Sequence, residues 1–134
     1  KIDLIVRGMC CLRPGIPGVS HNIQVRSIIG QLLEHSRVFY FLNSEGDEQL
    51  LLSSADWMER NLDKRIETCF PLDNKKMIAR VKKELQTYLK DNSHAWVLQS
   101  DGSYQKPQAN QDQSAINAQA QLLEKLSIPL IEVT

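Results

Sequence analysis

A chain of 134 residues, 42% hydrophobic and 24% charged, has the make-up of one ordinary globular domain. A domain of that size buries about two-thirds of its unfolded surface and so holds a real core. The formal net charge of zero excludes a polycation that grips nucleic acid by bulk charge, and no run reaches the roughly 18 apolar residues of a membrane helix. Cys10, Cys11 and Cys69 form neither a disulfide framework nor a zinc-ligand spacing, so reduced thiols in a cytoplasmic compartment are expected.

The start, Lys1-Ile2-Asp3-Leu4, is strand-like, with no initiator methionine and no signal-peptide pattern, and it points to a piece of a larger protein. Ile2, Leu4 and Val6 lie on one face of that strand, which delivers Arg7 to its carboxyl end, where open α/β sheets put their ligands. Gly8 permits a sharp turn there. Residues 9–19, with Pro14, Gly15, Pro17 and Gly18, are loop chemistry without a Gly-rich phosphate fingerprint. Arg13 in that loop is read as solvated. Five basic residues against two acids in residues 1–37 (Lys1, Arg7, Arg13, Arg26 and Arg37 against Asp3 and Glu34) give the region a local pull on anions.

Val25, Ile28, Ile29, Leu32 and Leu33 follow the i, i+3, i+4, i+7, i+8 pattern of a buried helix face, with Ser20 or Asn22 as its cap. Gly30 costs such a helix about 1 kcal/mol against alanine and marks close packing. Next comes Leu32-Leu33-Glu34-His35-Ser36-Arg37, the junction from that helix to the run Val38–Leu42, which is apolar on both faces and reads as an interior strand. Strand alternation sends His35 and Arg37 to the same side. One titrates near neutral pH, and the other is a permanent cation shaped for phosphate or carboxylate. The same spacing also suits a histidine capping the preceding helix and an arginine snorkelling to water.

Asn43-Ser44-Glu45-Gly46-Asp47 is a polar turn, and residues 49–52 begin a partner strand. Ser53-Ser54-Ala55-Asp56-Trp57-Met58 is a tight polar turn whose hydroxyls can serve a phosphate or cap a helical turn. The charged stretch 59–67 leads, solvated, into a short strand over 66–70 that Pro71 ends. Asp73 or Asn74 caps a helix whose apolar face is Met77, Ile78, Val81, Leu85, Tyr88 and Leu89, while Lys75, Lys76, Lys82, Lys83 and Lys90 face water. Ala95–Leu98 is a strand with His94 at its start, 100–114 a long polar loop, and Ile116, Ala120, Leu123 and Leu126 mark a last amphipathic helix. These elements predict an α/β fold, a layered sheet covered by helices, over residues 1–127, followed by a tail of no assigned role over 128–134.

Four stretches together resemble one family: Ile5-Val6-Arg7-Gly8, Pro14-Gly15-Ile16-Pro17-Gly18, Asn22-Ile23-Gln24-Val25-Arg26-Ser27-Ile28 and Leu33-Glu34-His35-Ser36-Arg37. Ser53-Ser54-Ala55-Asp56-Trp57-Met58 and Arg60-Asn61-Leu62-Asp63-Lys64-Arg65 extend the likeness. The family is bacterial polyphosphate kinase, in its C-terminal catalytic region, closely over residues 1–70 and more loosely to 126. The resemblance implies a phospholipase D-like fold, in a domain of a larger homo-oligomeric enzyme that is cytoplasmic or peripheral at the inner membrane. It implies reversible, Mg²⁺-dependent transfer of the ATP γ-phosphoryl group to inorganic polyphosphate through a phosphohistidine on a preceding domain.

On that reading the partners are ATP, ADP, polyphosphate and the upstream domains of the same chain. No nucleic acid and no metal-binding residue of this chain are implied. His35 matches the family's second active-site histidine and is expected to be catalytic. Arg7 matches an arginine on the nucleotide's phosphates, and Arg37 adds charge or braces His35. The phospholipase D-like His-x-Lys motif stands here as His35-Ser36-Arg37, with Leu42 where its aspartate belongs and Ser53-Ser54-Ala55-Asp56 in place of Gly-Ser-x-Asn. Those departures disfavour the first alternative, a stand-alone phospholipase D-like phosphodiesterase. The second is a non-catalytic module that binds polyphosphate or a partner protein through the basic N-terminal region.

Overall fold

The computed structural model describes residues 1–107 and 114–127, and ten elements carry the chain among these described residues. The tail 128–134 and part of the 100–114 loop lie outside those residues. Two compact units divide the fold: Lys1–Glu34 with Glu84 onward, and His35–Lys83. The fold is mixed α/β, but the expected single layered sheet is two sheets, one in each unit.

In the first unit the strands are β1 (Ile2–Ile5), β2 (Ile23–Ile28), β6 (Ala95–Leu98) and β7 (Tyr104–Gln105), ordered β1-β2-β6-β7. The pair β1–β2 is parallel with Ile2 opposite Ile23, and the other pairs are antiparallel. A parallel pair needs a long crossover. Here it is the 6–22 loop, knotted by Ser20, which is buried (4% exposed): its Oγ donates to the Arg13 carbonyl (2.6 Å) and accepts from Ile16 N (3.1 Å). Arg13 is tied down rather than merely solvated, since its Nε donates to the Ser100 carbonyl at 2.8 Å.

The helix expected from Val25 to Leu33 is instead the strand β2 and an irregular segment over 29–37. Ile23, Val25 and Ser27 alternate inward, two of them β-branched, so period-two burial and the ladder to β1 outweigh the helical spacing. Ile29, Leu32 and Leu33, counted on for the helix face, are 46%, 49% and 68% exposed. Ser20 and Asn22 therefore cap nothing. Val25, Ile28, Ala95, Leu98 and Ala118 form this unit's apolar core.

The second unit holds β3 (Val38–Leu42), β4 (Glu48–Ser53) and β5 (Cys69–Pro71), an antiparallel sheet in that order, and the short helix α1 (Glu59–Lys64). β3 is thus an edge strand and not an interior one; Phe41 and Leu42 are 56% and 60% exposed. The Asn43–Asp47 turn joins β3 to β4, with Asn43 Oδ1 accepting from the amides of Glu45 (3.0 Å) and Asp47 (2.8 Å). Of the stretch 59–67, expected to be a solvated lead-in, residues 59–64 form α1, and the strand that follows starts later than the expected position 66, where Ile66 is fully exposed.

Helix α2 (Lys75–Lys90) opens in the second unit and closes in the first. Asn74 caps it, its Oδ1 accepting from Lys76 N (3.0 Å) and Met77 N (3.3 Å). Within the second unit its Ile78 is buried with Leu50 in the core. Lys82, expected to face water, lies over the Tyr40 ring and bonds Glu48 at 2.5 Å. Helix α3 (Ala118–Leu126) matches the expected last helix and is capped by Asn117, which accepts from Ala120 N. Among the described residues no helix is long and apolar enough to cross a membrane.

Candidate functional site

Arg7 follows β1 directly, as expected. The ladder runs to its neighbour, Val6 N donating to the Arg26 carbonyl at 2.8 Å, and then breaks at Gly8, whose φ of 120° favours a residue without Cβ. Arg7 is left exposed at a strand's carboxyl end. Its neighbour in type, Arg26, is occupied elsewhere: Nη1 donates to the Leu89 carbonyl in the last turn of α2, where a cation suits the helix dipole.

His35 and Arg37 open the second unit, just before β3. His35 is exposed, and with an irregular segment before it there is no helix for it to cap. Arg37 is anchored at both ends. Its carbonyl accepts from Ser53 N at 3.0 Å, which extends the β3–β4 ladder by one residue, and its Nε donates to Asp56 Oδ1 at 2.8 Å. Only 18% of the Arg37 side chain is exposed, so the snorkelling alternative fails. It braces Asp56, and the structure records no bond from it to His35.

The turn after β4 closes this cluster. Ala55 N donates to Ser53 Oγ at 3.1 Å; Ser54 Oγ donates to Glu67 Oε2 at 2.5 Å and accepts from Thr68 N at 2.9 Å. The hydroxyls fix the turn and do not cap a helical turn as expected: α1 has Met58 at its N-cap with no side-chain bond to it. Asn61, 3% exposed, donates from Nδ2 to the Asp56 carbonyl at 3.2 Å. The Asp56 carboxyl is held below the usual range, first by the bond from Arg37 and then, against a burial penalty, by the charges of Arg37, His35 and Arg60.

Among the described residues no three His, Cys, Asp or Glu stand together as a metal site. His21 is exposed, and His94 sits at the start of β6, its carbonyl accepting from Ile29 N at 2.9 Å.

Residues 1–119 match the family described as polyphosphate kinase C-terminal domain 2. The chain belongs to the polyphosphate kinase family. It is 70% identical over 131 residues to polyphosphate kinase of Pseudomonas aeruginosa, covering 98% of this chain and 19% of that protein. It is 54% identical over 127 residues to the Xylella fastidiosa enzyme of that name, covering 94% of this chain and 18% of the relative. The crystal structure of polyphosphate kinase from Porphyromonas gingivalis superposes with a TM-score of 0.86 at 40% identity, over 94% of this chain and 19% of that one. The chain thus spans less than a quarter of each of these relatives.

In this polyphosphate kinase domain, the sequence points to His35 and Arg37 as candidates but not to Asp56, which bonds Arg37. The signal was present. A hairpin centred on the Asn43–Asp47 turn pairs Val38 with Leu52, which sets Arg37 opposite Ser53 and leaves Asp56 just beyond. Asn61 had no such signal, because its contact depends on where α1 packs.

Proposed function

We propose that this chain is the phosphate-handling C-terminal domain, over residues 1–127, of a polyphosphate kinase with a phospholipase D-like architecture. The whole enzyme, in this reading, is a cytoplasmic homo-oligomer that moves the ATP γ-phosphoryl group reversibly onto inorganic polyphosphate through a phosphohistidine on a preceding domain. Phosphoryl transfer asks the protein mainly for positioning and charge compensation. Arg7 offers a planar fork, each charge-assisted bond to a phosphate oxygen being worth about 1.5–3 kcal/mol. His35 hydrogen-bonds or protonates the leaving phosphate oxygen as charge gathers there. Arg37, in the same unit as His35, offers its guanidinium to phosphate oxygens. Mg²⁺ belongs with the nucleotide's phosphates and supplies charge neutralisation there, held by groups outside this stretch.

The observation that carries this reading is an exposed, uncommitted imidazole next to a guanidinium already fixed by a carboxylate, in a chain of this family. The test is turnover by the full-length enzyme with ATP, with ADP plus polyphosphate, and with a chromogenic phosphodiester. ATP-dependent chain growth and its ADP-driven reversal, both lost in His35→Ala, are expected. Phosphodiester hydrolysis that depends on His35 would replace the kinase reading with a phosphodiesterase.

A further inference from the structure

We propose that Asp56 is a positioning residue of the phosphoryl-transfer site, aiming the Arg37 guanidinium by holding its Nε. The proposal rests on the phosphate-handling reading above and deepens it. An arginine at the start of a strand has several rotatable bonds, and its fork is useful to a phosphate only in one orientation. Asp56 removes that freedom from the back: the 2.8 Å bond takes Nε, and among the described residues neither Nη has a hydrogen-bond partner. The paired edge of the guanidinium points to Asp56 and the other edge is left for oxygens.

The backbone that carries the carboxylate is itself held in place. Ser53 N is bonded to the Arg37 carbonyl at 3.0 Å, Ala55 is 4% exposed, and Asn61 Nδ2 grips the Asp56 carbonyl at 3.2 Å. Asn61 is the more telling of these. Its Oδ1 is buried without a partner, so an apolar side chain of similar volume would avoid a desolvation penalty. Among the described residues, the side-chain bond its amide makes is to the Asp56 backbone. A bare carboxylate at a phosphate site would repel the substrate, and pairing with Arg37 removes that objection. Asp56 therefore acts through Arg37 and touches no substrate.

The experiment is a double-mutant cycle in the full-length enzyme, measuring kcat/KM for ATP and thermal unfolding. Asp56→Ala is expected to lower kcat/KM by about 10–100-fold through misalignment of Arg37. Asp56→Asn, which keeps an oxygen for Nε, recovers a large part of that loss and serves if the alanine variant does not fold. In an Arg37→Ala background, Asp56→Ala adds less than about twofold, because the residue it positions is gone. Unchanged kcat/KM in Asp56→Ala, or an equal loss with and without Arg37, would overturn the proposal while leaving the kinase reading intact. Normal activity in Arg37→Ala alone would overturn both the proposal and the role given to Arg37.

Discussion

Arg7 is exposed beyond the end of β1, and among the described residues its side chain makes no hydrogen bond or ion pair. Its value in the proposed function lies in two parallel N–H donors rather than in charge. Arg7→Lys in the full-length enzyme keeps the charge and loses the fork, so kcat/KM for ATP should fall about tenfold to a hundredfold, the equivalent of one charge-assisted bond. Near-normal kinetics in the lysine variant would remove Arg7 from the site. At this scale Arg7 and His35 could be singled out as candidates by type, place and family motif. Asp56 could not, since an aspartate in a polar turn is ordinary until its partner across the hairpin is known.

Helices α2 and α3 and strands β2 and β6 meet around two side chains that no periodicity reveals. Asp91, 2% exposed, follows α2 and accepts from four backbone amides: Ser93 (3.0 Å), His94 (2.6 Å) and Ala95 (2.9 Å) on Oδ1, and Ala118 (2.7 Å) on Oδ2. One carboxylate thus fixes the start of β6 and the start of α3. Asp91→Ala leaves buried donors unsatisfied and should cost about 3 kcal/mol or more. Hydrogen exchange at the Ala95 and Ala118 amides reads this directly, and protection as in the parent enzyme would refute it.

The second side chain is Gln119, whose amide accepts from Leu32 N (3.1 Å) and donates to the Leu32 carbonyl (2.7 Å) and Glu34 Oε1 (2.6 Å). Glu34 also accepts from Tyr88 OH at 2.7 Å, and burial followed by that bond pushes the phenol up, so it stays a donor. Gly30 makes room: a Cβ there would meet Gln119 Oε1 at 2.2 Å. Gly30→Ala should therefore destabilise by about 1–3 kcal/mol, and much less in a Gln119→Ala background. Equal losses in both backgrounds would contradict the lock. The notion that Gly30 marks close packing was right, but its partner is a glutamine on α3 and not a sheet beneath a helix. Strands β1, β3, β4 and β6 were legible from alternation or apolar runs and helices α2 and α3 from their apolar faces, whereas β2 was misread because Val25, Ile28 and Ile29 keep a helical spacing that hides the alternation of Ile23, Val25 and Ser27.

For the molecule as a whole, the sequence showed one α/β domain, and the structure divides it into two units with one sheet each. Contacts that create such a division are long-range, and local patterns do not report them. Family membership was legible because six motifs keep one order, and the match over residues 1–119 bears it out. The central claim is that His35 acts on the phosphoryl group and is not scaffold. Single-turnover phosphoenzyme formation by full-length His35→Gln, set beside its thermal unfolding, tests it most directly. Glutamine can keep a hydrogen bond but carries no proton, so formation of the phosphoenzyme and its reversal by ADP should both slow by about 10²–10⁴-fold, with the melting temperature unchanged. Phosphoenzyme formation at the parent rate with a lowered melting temperature would contradict the claim and return His35 to the scaffold.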